Sequence, residues 1–192
     1  MQPLENPNLF VLTGGPGSGK TTTLLELERR GVAHAPEVAR EIIARQQAIG
    51  GSALPWDDRL AFTRQMLDRS IESFRERTPC PKPMLADRGA PDTLGYARLI
   101  GLAEEREILQ AVSRYRYAGL VFAAPPWPEI YVTDAQRKQD FAEAERTFAV
   151  ITGVYLELGY NVVELPRASP AARADFILQR IDAGDGYRPR FL

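Results

Sequence analysis

The chain has 192 residues, 44% of them apolar, with 24 basic and 25 acidic side chains and a net charge of −1. That balance carries no long-range positive field, so neither nucleic acid nor an anionic membrane is an expected partner. The single cysteine, Cys80, excludes an internal disulfide framework and fits a reducing cytoplasm, and no apolar run approaches the ~20 residues that span a bilayer.

Residues 1–8 are polar and include Glu5, unlike a secretory leader. Residues 9–13, Leu-Phe-Val-Leu-Thr, are uncharged and apolar on both faces, which predicts a central parallel strand. Gly14-Gly15-Pro16-Gly17-Ser18-Gly19-Lys20-Thr21-Thr22 follows and matches G-x-x-x-x-G-K-[ST] at every fixed position. A helix is predicted over 21–30, with Leu24, Leu25 and Leu27 at helical spacing and Gly31 as its stop. A short strand, 32–35, is broken by Pro36, and Glu37 sits just past its end. A second helix covers 38–49 and stops at Gly50-Gly51; residues 51–55 are a loop. The next helix, 56–77, carries Leu60, Leu67, Ile71 and Phe74 on one stripe.

Three prolines make 78–83 a stiff linker. It delivers a strand, 84–86, that ends at Asp87-Arg88-Gly89. Helices at 91–100 and 103–115 precede a fourth buried strand, 119–124, which Pro125-Pro126-Trp127-Pro128 breaks. Residues 130–134 read as irregular and 135–158 as a charged helix stopped by Gly159. The fifth strand is 161–165. Ser169 then caps a last helix, with Pro170 in its first turn, that runs to 183. The alternation predicts one α/β domain over 1–183, with a five-stranded, mostly parallel sheet between helices and a tail at 184–192.

In such sheets ligands sit at the carboxyl ends of the strands. Residues 14–22, Glu37, Asp87-Arg88 and 125–134 all follow strand ends, so they are expected to converge on one cleft. The loop glycines let successive N–H groups point at an anion, Lys20 supplies a full charge, and Thr21 is placed to hold Mg²⁺. Gly14, Gly15, Pro16, Gly17, Ser18, Gly19, Lys20, Thr21 and Thr22 therefore read as a cradle for a nucleoside triphosphate. Asp87 reads as a Mg²⁺ ligand, with capping of the next turn as the alternative. Arg88 reads as an anchor for a substrate carboxylate or phosphate, or as a partner of Asp87 or Glu37.

Glu37 reads as the general base for an acceptor hydroxyl, against the plainer role of complementing a helix dipole. Arg40, one turn on, either orients Glu37 or is a solvated charge. Residues 127–140 read as a flap whose Arg137, with Lys138 beside it, neutralises a γ-phosphoryl group; Thr133 and Asp134 read as caps. His34, Trp56, Trp127, Tyr96, Tyr115 and Tyr117 read as packing or rim residues, with stacking on a ring as the alternative for the tryptophans. Residues 165–167 are placed to pass beside an adenine.

Residues 14–22 with Pro36-Glu37-Val38-Ala39-Arg40 resemble the deoxynucleoside kinases, whose second strand ends in a similar Pro-Glu-x-x-Ala-Arg run carrying the general base. Asp87-Arg88, with Leu94 and Tyr96 beyond it, is similar to the Asp-Arg-Tyr segment of thymidylate kinases. From residue 9 to about 181 the chain looks most like the NadR/Ttd14-type phosphate-loop domains, a group labelled AAA-family ATPases that includes ribosylnicotinamide kinase domains. The resemblance implies a three-layer P-loop NTPase fold of the nucleoside-kinase kind. Val38 stands where the deoxynucleoside-kinase run has its second proline, and Gly89 where the thymidylate-kinase segment has tyrosine, so neither substrate is carried over.

No arginine finger or sensor motif of a ring ATPase is read, and no Asn-Lys-x-Asp run selects guanine. The expected activity is therefore ATP- and Mg²⁺-dependent phosphoryl transfer to a small hydroxyl-bearing, nucleoside-like acceptor, with GTP as the second choice of donor. The alternative is an ATP- or GTP-binding regulatory switch acting through the flap or the Arg188-Pro-Arg-Phe-Leu192 tail. No feature fixes an oligomeric state.

Overall fold

The computed structural model describes residues 2–103, 105–130 and 141–184. In chain order the elements are β1 (Leu4–Glu5), β2 (Leu9–Gly14), α1 (Lys20–Arg29), β3 (His34–Ala35), α2 (Val38–Ile49), α3 (Arg59–Glu76), β4 (Met84–Asp87), α4 (Ala90–Leu99), α5 (Glu105–Arg114), β5 (Tyr115–Arg116), β6 (Leu120–Ala124), α6 (Phe141–Glu157), β7 (Asn161–Glu164) and α7 (Pro170–Asp182). A single 3₁₀ turn, Pro128–Ile130, follows β6.

Five strands form one parallel sheet in the order β3-β4-β2-β6-β7. Helices cover both faces of a parallel sheet, so its central strands must be apolar on both sides. Accordingly β2 and β6 are buried from end to end. Side chains alternate along β2. Leu9 and Val11 pack with Phe74 of α3, Leu94 of α4, Val112 of α5 and Tyr155 of α6. Phe10 and Leu12 face the other way, onto Leu24 and Leu27 of α1 and Ile177 of α7. The three-layer α/β architecture with five parallel strands agrees with the sequence reading. A smaller cluster, Ile42 with Phe62 and Met66, ties α2 to α3.

Some boundaries differ from those expected. The long helix begins at Arg59 rather than 56, because the Asp58 carboxylate accepts from the Ala61 N–H at 2.9 Å and caps it there. The helix read over 103–115 ends at Arg114; Tyr115 and Arg116 instead pair in parallel with β1. Asn6 anchors that pairing. It is buried, its side-chain amide donates to the Arg77 carbonyl at 2.8 Å, and its backbone N–H donates to the Arg116 carbonyl at 2.8 Å. Of the helix read over 135–158, the portion Phe141–Glu157 is described. Thr133, Asp134, Arg137 and Lys138 lie outside the described residues.

The register aligns the strand ends that matter. Leu12 stands opposite Asp87 on β4, and Gly14 opposite Ala124 on β6. The segments leaving β2, β3, β4 and β6 therefore leave from the same edge of the sheet.

Candidate active site

The loop after β2 leaves the sheet at Gly14, whose φ is +138°. A Cβ there would lie 2.3 Å from the Ala124 carbonyl oxygen of β6, so only glycine allows this exit. Gly19, at φ +80°, turns the chain into α1. Ser18 Oγ donates to the Gly15 carbonyl at 2.8 Å, and Thr23 Oγ1 donates to the Gly19 carbonyl at 3.0 Å. The loop is backed by α6 and α7. A Cβ on Gly15 would meet the Ala144 carbonyl oxygen at 3.2 Å, and the Arg173 guanidinium donates to the Ser18 carbonyl at 2.6 Å.

Lys20 is buried within this loop, and its ammonium donates to the carbonyls of Gly14 and Gly15 at 3.0 and 2.9 Å. Burial lowers its pKa to about 8; Arg88 pushes the same way, while Asp87, Glu37 and Asp92 oppose it. A bound polyphosphate would favour the protonated form, so binding above pH 8 must take up a proton. MgATP affinity is expected to be flat from pH 6.5 to 7.5 and then to fall, by up to roughly thirtyfold at pH 9.5. Titration calorimetry in buffers of differing ionisation enthalpy should show the uptake; pH-independent affinity to 9.5 would mean that the free protein does not hold Lys20 at a lowered pKa.

Arg88 follows β4 with a backbone φ of +69°, a conformation that costs a non-glycine residue free energy. Two carboxylates hold its side chain. Nε donates to Glu37 Oε1 at 2.8 Å and a terminal nitrogen to Asp92 Oδ1 at 3.1 Å. The other Glu37 oxygen accepts from Arg40 Nε at 2.9 Å. Burial pushes the Glu37 pKa up, but the Arg88 and Lys20 charges and the two arginine hydrogen bonds outweigh it and hold it at about 2. Glu37 is thus ionised at neutral pH and fixed in orientation.

Asp92, which the sequence reading did not single out, is the centre of this network. It is 3% exposed. Besides Arg88 it accepts from Thr13 Oγ1 at 2.5 Å, the Tyr155 hydroxyl at 2.5 Å and the Gly89 N–H at 2.9 Å. A signal was present: an acid at the third position of a helix that opens Gly-Ala-Pro commonly accepts from the cap residue's N–H.

Asp87, also buried, has one carboxylate oxygen, Oδ1, with no hydrogen-bond partner, and burial raises its pKa. An orphaned carboxylate oxygen beside Lys20, with the Thr21 hydroxyl lining the cleft, suits Mg²⁺, which takes one or two protein ligands and completes its shell with phosphate and water. Among the described residues no group of three or more His, Cys, Asp or Glu side chains forms a self-sufficient metal cage.

Residues 16–22, Glu37 and Arg88 open into one cleft of about 1230 Å³, whose lining includes neither Asp87 nor Asp92. Residues 16–22 line it between two walls. On the β3 side stand Glu37, Arg40, Ile43 and Gln47, then Pro55, Trp56, Arg59 and Arg88. On the β7 side stand Trp127, Ile130, residues 168–170 and Arg173. The structure therefore brings together residues 16–22, Glu37, Arg40 and Arg88, with Asp87 close enough to interact electrostatically with Lys20, Glu37 and Arg88. Arg137 lies outside the described residues.

Other sequence readings are corrected. Residues 165–167 do not line the cleft; Arg167 Nε donates to the Pro126 carbonyl at 3.2 Å, and residues 168–170 take that place. For Trp56, read as packing with stacking on a ring as the alternative, the packing reading does not hold: it is 60% exposed at the lip. Trp127 lines the cleft with the Arg173 guanidinium over its ring at 5.0 Å. Arg173, 1% exposed, was missed, since an arginine in an amphipathic helix reads as a surface charge. Tyr115 and Tyr117 are buried as read, Tyr96 packs edge-on against Phe62, and His34 lies in β3 away from the cleft.

A family model described as an AAA domain matches residues 9–173. No curated protein matches the chain. Among solved structures, the chain is similar to NadR in complex with NR, at 19% identity and a TM-score of 0.68, and to NadR in complex with NAD and AMP-PNP, at 17% and 0.70. Each match covers 96% of this chain but 52% and 51% of the NadR chains, so this chain spans about half their length. Thymidylate kinase from Candida albicans matches at 11% identity and a TM-score of 0.60, over 95% of this chain and 94% of that one. Shikimate kinase from Acinetobacter baumannii in complex with shikimate matches at 21% and 0.53, over 93% and 94%. Identities this low speak for the fold, which these kinases share. By its match over residues 9–173 the chain belongs to the AAA domain family, on a NadR-like phosphate-loop fold related to that of the nucleoside kinases.

Proposed function

We propose that this protein transfers the terminal phosphoryl group of ATP, with Mg²⁺, to the hydroxyl of a small nucleoside-like acceptor. The observation that carries the reading is a single cleft in which the phosphate-wrapping loop meets the Glu37–Arg88 pair, both members of which interact electrostatically with Lys20. At about 1230 Å³ it exceeds the roughly 300–1,000 Å³ usual for one small ligand, which leaves room for donor and acceptor together.

In this reading the loop N–H groups and Lys20 hold the phosphates. The acceptor oxygen bonds to the γ-phosphorus as the bond to the bridging oxygen breaks. The acceptor's proton passes to Glu37, and ADP departs. Arg40 and Arg88 keep the Glu37 carboxylate aimed, so little reorganisation accompanies transfer. Thr21 and Asp87 would hold Mg²⁺, which when bound neutralises charge on the outer phosphates. Arg137 is proposed as a further cation over the γ-phosphate, on sequence grounds. A cytoplasmic setting belongs to the same reading and rests on the lone Cys80. No described helix is long and apolar enough to cross a membrane.

The test incubates the protein with γ-labelled MgATP and a panel of nucleosides, nucleotides and cofactor precursors. Label should move to one acceptor class, and that class should raise ATP turnover by about tenfold or more. Slow hydrolysis indifferent to every acceptor would favour the switch reading instead.

A further inference from the structure

The wall of the cleft formed by α2, α3 and their connecting loop carries a charge and an aromatic face that the transfer chemistry leaves unused. Arg40, Arg59 and Arg88 line that wall against one carboxylate, Glu37. Arg40 and Arg88 both pair with Glu37, and Arg88 also reaches Asp92. Among the described residues no hydrogen bond or ion pair holds the Arg59 guanidinium; its electrostatic neighbour is the Tyr96 hydroxyl, whose pKa burial raises and Arg59 lowers. Arg59 stands at the first position of an 18-residue helix, where the dipole disfavours a cation. The neighbouring Asp58 carboxylate is hydrogen-bonded to the Ala61 N–H.

Trp56, three residues earlier, is held out at the lip by a built loop rather than a slack one. The Gln46 side chain is buried beneath that loop and accepts from the Ala53 N–H at 3.3 Å. A Cβ on Gly51 would come within 2.0 Å of the Gln46 amide oxygen, so the loop closes tightly on that amide. Asp58 N–H donates to the Ser52 carbonyl at 3.0 Å, which ties the loop's two ends. Ala53 and Leu54 are buried while Trp56, on the same loop, is left in the cleft mouth.

A guanidinium with no hydrogen-bond or ion-pair partner among the described residues, lining the same cleft wall as an exposed indole, is a receptor for a flat ring that bears an anion: the guanidinium fork matches carboxylate or phosphate, and the indole face takes the ring. We propose that the phosphoryl acceptor is an anionic ring compound whose carboxylate or phosphate is held by Arg59 and whose ring lies on Trp56. This rests on the kinase reading and narrows it, since an uncharged nucleoside would give Arg59 no anion to bind.

The test separates the two levels. The full chain is first titrated with Mg²⁺ and AMP-PNP; failure of saturable uptake counts against the kinase reading itself. Onto the filled protein, matched pairs are then titrated by calorimetry: nucleosides with their 5′-monophosphates, and hydroxymethyl-substituted aromatic rings with and without a ring carboxylate. At least one anionic member should bind about tenfold or more tighter than its neutral parent, and the arm in which this occurs tells phosphate from carboxylate. In Arg59→Gln the ratio of the two affinities should fall to about one, whereas Trp56→Ala should weaken both members of the pair together, by about fivefold or more. Because the ratio is read within a protein that has taken up AMP-PNP, misfolding cannot imitate the result. Neutral parents binding as tightly as their anionic partners, an undiminished ratio in Arg59→Gln, or no anionic member binding at all would overturn the proposal.

Discussion

Asp92→Ala is expected to lower folding stability by about 4 kcal/mol and the melting temperature by roughly 10 °C, measured by denaturant and thermal unfolding. The carboxylate is buried and answers four donors from three parts of the chain: Thr13 on β2, Arg88 and Gly89 after β4, and Tyr155 on α6. Removing it strands two buried hydroxyls and leaves the Arg88 guanidinium with only Glu37. Burial and the nearby Asp92 charge both raise the Tyr155 pKa well above its ordinary value, so the tyrosine remains a neutral donor and cannot compensate.

Asp92→Asn keeps the volume but not the charge opposite Arg88, and about half the loss is expected. Tyr155→Phe deletes one hydrogen bond and should cost about 1 kcal/mol. The graded order of the three variants is the signature of a hub. A loss below about 1 kcal/mol for Asp92→Ala would mean that the surrounding donors find other partners. The hub also reaches the site, because the same carboxylate holds both the Gly89 N–H and the Arg88 side chain around the strained φ of +69°.

The sheet was legible because a strand covered on both faces has to be apolar throughout, and residues 9–13, 84–86 and 119–124 are. The paired β1 and β5 were not, since two residues show no period and their pairing depends on Asn6 meeting Arg77, 71 positions away. At the site, residues 14–22 were legible as a motif, and the meeting of that loop with Glu37 and Arg88 in one cleft followed from a rule of topology: these segments follow strand ends, and strand order places those ends together. Asp92 and Arg173 escaped that rule. Each acts through partners brought to it by packing, Tyr155 across 63 positions and Ser18 across 155, and no local pattern encodes such a meeting. The exposure of Trp56 was not legible for a related reason. An aromatic in a loop ordinarily packs inward, and the buried Gln46 that holds this loop in shape looks, in sequence, like any polar residue of an amphipathic helix.

Glu37→Gln should reduce kcat by about 10²–10³-fold while MgATP affinity changes by less than about threefold. Glutamine keeps the shape of the side chain and accepts a hydrogen bond, but it cannot take a proton. Only the step that removes the acceptor proton should suffer, and the phosphate-binding loop should not. The pKa of about 2 adds a constraint. A carboxylate held that low by burial-resisting arginines is a weak base at equilibrium, so proton transfer to it must come late, once the acceptor oxygen has begun to bond to phosphorus and its hydroxyl has become acidic. A loose phosphoryl-transfer transition state meets that condition.

Two consequences follow from the sign of the shift. Glu37 stays ionised above about pH 2, so the wild-type rate should show no acid limb from this group between pH 5 and 7. The stability it gains from Arg88 and Arg40 should be present above the usual carboxylate range and be lost only as the pH falls toward 2. Glu37→Gln therefore has a structural cost as well, about 1–3 kcal/mol for leaving Arg88 with one charged partner, and its melting temperature must be read beside kcat. Wild-type turnover in the folded variant would remove Glu37 as the base. An activity loss in the wild-type enzyme centred near pH 6 would point to a group other than this carboxylate, because nothing that lowers Glu37 to about 2 can make it titrate there.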